Sequence, residues 1–374
     1  MIYLDYSATT KVDEEILEAF NDAARNCFAN PNSLHKLGVL SKNAIDDATN
    51  QIKKDLNIKD GEIIYTSGAS ESNNMALKGI CLKYQNMGKH IISTSLEHPS
   101  IVAVLNYLSA LGFEIDIVKL NKDGTVDMNH LKSLITDDTV LVTICAVDSE
   151  MGIRQPIEEI GKLLKKYENC YFHTDMTQCL GKDKIDLKDV DLASFSGHKI
   201  YCFRGIGCLY KKEKLAIEPL IHGGRSTTIY RSGTPQTELI VALSKAIKLI
   251  MKDIDSNYER VKKLNNMLKI NLKNYDNVII NSTDKSIPHI LNLSILGIKP
   301  ESFMHALEEF DIYISTKSAC SKSGNPSISV LSVTNDKKRA ESSIRISLSY
   351  KTTEEEIKEF LRFFKICYQN LSWK

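Results

Sequence analysis

Across the first two-thirds of the chain, short apolar runs alternate with stretches whose apolar residues recur at helical spacing. Glu62-Ile63-Ile64-Tyr65-Thr66 reads as a strand and residues 70–81 as a helix. The pattern repeats with a strand over 90–94 and a helix over 100–111, then a strand over 139–144 and a helix over 156–167. Pro156 falls in the first turn of that last helix, where an amide N–H has no helical partner to lose. Cys170-Tyr171-Phe172-His173 forms another strand, ending at Asp175. Apolar strands separated by helices predict an α/β fold: a mostly parallel sheet with helices on both faces. Ligands of such sheets bind beyond the carboxyl ends of the strands. Ser67-Gly68, Asp175 and Lys199 all fall at such ends or just after them.

From about Pro235 the texture changes. One long helical stretch over 237–274 is followed by short strands at 278–280 and 290–293. A helix over 301–310, strands over 312–314 and 343–348 and a helix from Thr353 complete an α+β tail. The expected division is a large α/β domain over 12–250, which carries the strand ends just named, and a smaller α+β domain built from 1–11 and 251–374. No internal repeat or low-complexity segment interrupts the chain.

Composition narrows the choice by exclusion. A net charge of +1, with acids and bases interspersed, gives no electrostatic reason to bind nucleic acid or an anionic membrane. No apolar run approaches the roughly 20 residues that span a bilayer. The start Met1-Ile2-Tyr3-Leu4-Asp5-Tyr6 lacks the basic and apolar regions of a secretory signal. The nine cysteines are odd in number and contain no Cys-x-x-Cys pair. That argues against a disulfide framework or a zinc ribbon, and suits a reducing cytoplasm with no bound metal.

The candidate chemistry centres on Lys199, at the end of Ser194-Phe195-Ser196-Gly197-His198-Lys199. An amine that can form a Schiff base, and an acid such as Asp175 that can hold a pyridinium nitrogen, are the two protein groups a pyridoxal phosphate enzyme needs. Ser67-Gly68-Ala69-Ser70 joins a strand to a helix, and its small residues let backbone amides approach a phosphate. The same residues also serve as an ordinary helix cap. His98 could stack on a planar ring and shuttle protons, or simply begin a helix. Gln178 could reach the same ring as Asp175. Arg231-Ser232-Gly233-Thr234 is a small basic turn suited to a phosphate. Cys320 lies in a small, polar, glycine-bearing segment, where Lys317 and Lys322 would favour a thiolate. Arg345 alternates within a strand; it could grip a carboxylate bidentately or face solvent.

Together these segments resemble the pyridoxal phosphate-dependent cysteine desulfurases of the NifS/IscS type, in the class-V aminotransferase family. The likeness runs from Tyr3-Leu4-Asp5-Tyr6-Ser7-Ala8-Thr9-Thr10 to Thr352-Thr353-Glu354-Glu355-Glu356, almost the whole chain. It takes in Asn30-Pro31-Asn32-Ser33 with His35, Glu97-His98, Ser318-Ala319-Cys320 and residues 342–348. The resemblance implies fold type I of the pyridoxal phosphate enzymes and a homodimer. It makes Lys199 the Schiff-base lysine, Asp175 the partner of the pyridine nitrogen, Gln178 the partner of the phenolic oxygen and His98 the stacking residue. Ala69 would join the cofactor site, and Ser70, Ser196 and His198 would bind phosphate, with Thr234 entering from the other subunit. Arg345 would hold the substrate carboxylate, with Asn30 or Asn32 nearby, and Cys320 would accept sulfur. The implied reaction converts L-cysteine to alanine with a persulfide on Cys320. Its sulfur would pass to an acceptor protein for iron–sulfur cluster assembly or thiolation. A selenocysteine lyase, a cysteine or cystine β-lyase and a degenerate, non-catalytic paralogue are the alternatives.

The sequence departs from that pattern at several points. Asp148-Ser149-Glu150 stands where Asn-Asn-Glu is usual, and Ser149 is too short to reach the cofactor's phenolic oxygen in the way the second asparagine does. Arg225-Ser226-Thr227-Thr228-Ile229-Tyr230 replaces a glycine-rich stretch, and Cys202-Phe203-Arg204 a Gly-Pro-Lys-like turn. Lys317 and Ser349 each replace a glycine.

Overall fold

The computed structural model describes residues 1–316 and 326–372. The chain opens with strand β1 (Ile2–Tyr3) and helices α1 (Glu14–Asn26) and α2 (Lys36–Asp55). Then come β2 (Glu62–Thr66), α3 (Ala69–Tyr84), β3 (His90–Ser93), α4 (Pro99–Ala110), β4 (Glu114–Ile117), α5 (Met128–Leu134), β5 (Thr139–Thr143) and α6 (Ile157–Leu164). The strands β6 (Tyr171–Asp175), β7 (Leu192–Ser196) and β8 (Gly207–Lys211) follow, with a single 3-10 turn, Gly197–Lys199, after β7. The remainder is α7 (Thr237–Lys252), α8 (Ile254–Leu272), β9 (Val278–Ile280), β10 (Ile290–Ile295), α9 (Pro300–Glu308), β11 (Ile312–Tyr313), α10 (Ile328–Thr334), α11 (Lys337–Glu341), β12 (Ser343–Ser347) and α12 (Glu354–Ser372).

Seven strands form the central sheet in the order β2-β8-β7-β6-β5-β3-β4. It is parallel from β7 to β4, while β8 runs antiparallel to both neighbours, β2 and β7. Successive side chains of a strand face opposite ways, and here both faces are covered. In β5, Leu141 packs with Ile64, Leu192 and Leu209 beneath α3 and α4, while Val142 packs with Phe172 and Phe195 beneath α1, α2 and α7. Residues of β5 are therefore buried without alternation, which is why the sequence shows it as one apolar run. β4 is the opposite case: an edge strand, Glu-Ile-Asp-Ile, with no fully buried residue and no apolar run to reveal it.

A second core gathers around the antiparallel sheet β12-β10-β9 and the parallel pair β1-β11. Leu291, Leu293, Ile344 and Ile346 meet Phe303 of α9 and Phe360 and Phe364 of α12, and Ile2 and Leu4 join them from the N-terminus. The single helix expected over 237–274 is instead two helices, broken at Asp253, whose ψ of 30° leaves the helical range. The break has a packing cause. Ile240, Leu243 and Ile247 of α7 belong to the core under the central sheet, whereas Val261, Leu264 and Leu268 of α8 belong to the second core. Among the described residues, no helix is long and apolar enough to cross a membrane.

Candidate active site

The carboxyl ends of β2, β5, β6 and β7 open into one cavity of about 380 Å³, within the range of small-molecule sites. Ala69, Ser70, His98, Asp175, Gln178, Ser196, His198, Lys199 and Arg345 all line it.

Asp175 closes β6 and is 6% exposed. Its Oδ2 accepts from Asn73 Nδ2 at 2.8 Å and its Oδ1 from the Thr177 amide at 2.9 Å, so the carboxylate is held from two sides. Lys199 ends the turn after β7, and its Nζ donates to the carbonyls of Ser7 (2.7 Å) and Ala8 (2.6 Å). The N-terminal segment is pinned there. Thr10 Oγ1 donates to His198 O and accepts from the amide of Tyr201, a residue with φ of +64°. A left-handed tyrosine needs such support.

His98 is the N-cap of α4, and its Nδ1 accepts from the Ser100 amide at 3.1 Å. In the neutral ring the proton then sits on Nε2. The helix-cap and cavity roles are thus compatible. Burial lowers the His98 pKa and the Lys199 charge adds to this, against the pull of Asp175. His198 is pushed down to about 4 by burial, then by the charges of Lys199 and Arg204, so it is neutral near pH 7. Its Nδ1 pairs with Thr9 Oγ1 at 3.2 Å.

The start of α3 faces the cavity. Its N-cap is Gly68, at φ +156°, a conformation reserved for glycine, with no side-chain cap. A Cβ on Gly207 would lie 2.6 Å from Gly68 Cα, so strand and loop touch with no room for side chains. Ser70 stands in the first turn, exposed, and does not cap. The Ser67 amide donates to Glu71 Oε2, and Glu71 pairs with Arg231 at 2.9 Å, tying the helix start to the 231–234 turn. Unpaired first-turn amides make this an anion cradle.

Arg345 does not face solvent. It is 1% exposed, since β12 pairs with β10 on one side and Ser315 bridges to it on the other. Its Nη2 pairs with Asp5 Oδ1 at 2.8 Å, its Nη1 donates to Ser149 O at 2.9 Å and its Nε has no partner among the described residues. A substrate carboxylate in the cavity would meet a guanidinium already oriented by these two bonds.

Other residues stand apart. Asn30 and Asn32 are exposed between α1 and α2, where the Asn32 amide donates to Asn30 Oδ1, and neither lines the cavity. Thr234 is exposed and lines a smaller neighbouring hollow with Ser67 and Gly205. Cys320, with Lys317 and Lys322, lies outside the described residues.

The departures have local explanations. Ser349 Oγ meets Tyr201 OH at 2.5 Å and accepts from the Lys351 amide. Phe203 packs its ring 4.6 Å from Phe20, and Arg204 rims the cavity. Asp148 and Glu150 are buried and hold the hydroxyls of Ser329 and Ser327. Burial, then the neighbouring Glu150, raises Asp148 to about 6. Tyr230 lies under Lys211 Nζ, 4.7 Å from it.

Sequence reasoning overlooked Asn73, Asp5, the Ser7 and Ala8 carbonyls and Lys182. Asn73 had a readable sign: it shares a helix face with Ala76, Leu77 and Ile80, so it is a polar residue at a core position. Asp5 and the Ser7 and Ala8 carbonyls act across large sequence separations and left none, and Lys182, four residues from Gln178, reads in sequence as an ordinary solvated lysine.

An amine and a carboxylate converging at strand ends, beside a helix-start anion cradle, define an aminotransferase-like α/β enzyme of fold type I. The comparisons agree. The chain belongs to the aminotransferase class-V family, a family of pyridoxal phosphate enzymes, which it matches over residues 2–360. It is 37% identical to a cysteine desulfurase IscS of Dictyoglomus turgidum over 361 residues, which cover 95% of this chain and 91% of that protein. A solved NifS-like protein matches with a TM-score of 0.92 at 32% identity, covering 100% of both chains. A solved SspA in complex with cysteine matches with a TM-score of 0.82 at 31% identity, over 94% of this chain and 100% of that one.

Proposed function

We propose that the chain is a cysteine desulfurase that uses pyridoxal phosphate to move the sulfur of L-cysteine onto Cys320, releasing L-alanine. The observation that carries this reading is the meeting of Lys199 and Asp175 in one cavity with the buried guanidinium of Arg345. The named relatives supply the substrate.

Lys199 would hold the cofactor covalently, Asp175 its pyridine nitrogen, and Ser70, Ser196, His198 and the first amides of α3 its phosphate, with Ala69 lining the same pocket. When bound, the cofactor supplies an electron sink at the substrate's α-carbon. Arg345 orients the substrate carboxylate. Lys199 and His98 are the groups placed to move protons, since His98 is neutral when its pKa is depressed by burial. The Cys320 thiolate attacks the substrate sulfur, the carbon–sulfur bond breaks with its electron pair retained on carbon, and that carbon takes a proton to give alanine. Chain geometry supports the choice of cysteine. Ser315 is anchored on Arg345, and five residues span at most about 18 Å.

We further infer a homodimer in which Thr234 of each subunit serves the other's phosphate site. The division into 12–250 and 1–11 with 251–374 is supported by the second core, whose residues all come from 1–11 and 251–374. A sulfur-acceptor protein is the expected partner. All eight described cysteines are free thiols, which favours a reducing cytoplasm.

Two variants test the assignment. Cys320→Ala should keep the yellow cofactor but lose sulfide release from L-cysteine under reductant, by about a hundredfold or more as expected for loss of a nucleophile. Lys199→Ala should lose the absorbance band of lysine-bound cofactor. Full desulfuration by Cys320→Ala would remove Cys320 as acceptor.

A further inference from the structure

Lys182 is the most unusual charged group outside the residues already assigned. It is 8% exposed, and among the described residues no carboxylate pairs with it. Burial, then the charges of Lys199 and Arg345, presses its pKa down to about 7, with Cys179 pulling the other way. His289, Tyr6, Tyr201 and Tyr350 share its small hollow, and none of them is an anion near neutral pH. An amine kept there at such a desolvation cost has a polar task.

Its geometry shows the task. Lys182 stands four residues after Gln178 and its Nζ donates to Gln178 Oε1 at 2.5 Å. A backbone carbonyl only accepts, so the end of the amide that faces Ser7 O is the NH2, and the oxygen is the end that faces Lys182. Nε2 donates to Ser7 O at 2.9 Å. That same carbonyl receives Lys199 Nζ at 2.7 Å. Turned over, the amide would set its oxygen against the Ser7 carbonyl and lose the bond from Lys182, so it is held at both ends.

We infer that Lys182 is a positioning residue that locks the Gln178 amide with its NH2 toward the cavity, so that Gln178 donates to an anionic ring oxygen of the bound cofactor. The inference rests on the pyridoxal phosphate reading above and deepens it, because it gives a role to a lysine that touches neither cofactor nor substrate. A donor aimed at an anionic oxygen stabilises the deprotonated form of the cofactor. Loss of the lock should therefore move its titration to higher pH.

The test is a pH titration of the visible absorbance of the cofactor-loaded, full-length protein, which needs no turnover. Lys182→Met should raise the midpoint by about one pH unit, the size of one hydrogen bond to a charged group. Gln178→Ala should raise it similarly, and adding Lys182→Met to Gln178→Ala should shift it little further. Lys182→Gln, a milder change that keeps polarity but not the fixed donor, should also shift it upward. A parental midpoint in a folded Lys182→Met or Lys182→Gln protein would overturn the lock, as would an undiminished shift in the Gln178→Ala background. A parental protein that retained no pyridoxal phosphate would instead overturn the proposed function, and the lock with it.

Discussion

Asn73 is fully buried on α3, and its one amide donates both to Asp175 Oδ2 at 2.8 Å and to Ser100 Oγ at 2.9 Å. It thus ties the cofactor acid to the helix that His98 caps. Asn73→Ala removes a bond to a carboxylate, worth about 1.5–3 kcal/mol. Pyridoxal phosphate affinity should fall by about tenfold or more, measured by equilibrium titration of the cofactor-free protein. Glu97 makes a pH prediction. It is buried; Oε1 accepts from Thr94 Oγ1 and the Cys145 amide, while Oε2 has no partner among the described residues. Burial raises its pKa from 4.5 to about 8, and nearby Asp175 adds to the rise. The folded state therefore keeps a proton that the unfolded chain releases, and stability is lost as pH climbs through that window. Glu97→Gln carries no such proton. Its melting temperature should match the parent's near pH 4.5 and exceed it near pH 8, by thermal denaturation at the two values. Equal curves at both would mean that Glu97 is ionised in the fold. Lys199 and Asp175 were legible because each ends a strand pattern in a compact local run. Asp5 and Lys182 were not, because their meaning is a contact: Asp5 reaches Arg345 across 340 positions.

Elements show the same division between local and non-local information. β5 and β6 announced themselves as apolar runs because both faces of the sheet are covered. β4 did not, since an edge strand buries too little to be apolar. The break at Asp253 was invisible because helical periodicity continues through it; only the change of packing partner ends α7. α10 offers a test at this scale. Ser327 is its N-cap, accepting from the Val330 amide at 3.1 Å, and it also donates to the buried Glu150. Ser327→Ala loses the cap and strips Glu150 of that partner, at a cost of about 2 kcal/mol or more. A melting temperature lowered by several degrees is the expected result in a thermal melt. An unchanged melt would mean that this cap contributes nothing to the folded state.

For the whole molecule, the exposed surface makes a prediction. Phe28, Leu34, Leu37, Val39 and Leu40 are exposed apolar residues within one short stretch, with Leu34 98% exposed. A second copy covering them is the simplest account of so much apolar surface in a chain of near-neutral charge. Sedimentation should give twice the mass of the chain, and Leu34→Asp with Leu37→Asp should shift it toward monomer. A parental monomer at micromolar concentration would remove Thr234 from the cofactor site. The α/β class was readable from the chain, since alternating strands and helices admit few arrangements. The way the N-terminus crosses to lie beside Lys199 was not, because Ser7 and Ala8 are ordinary residues whose carbonyls do the work. The account as a whole rests on the fate of the substrate's sulfur. Incubation of the cofactor-loaded protein with L-cysteine, followed by assay of the products and mass spectrometry of the peptide bearing Cys320, measures it directly. The account predicts alanine in step with sulfur and a persulfide on that peptide. Pyruvate and ammonia, with an unmodified peptide, would contradict it.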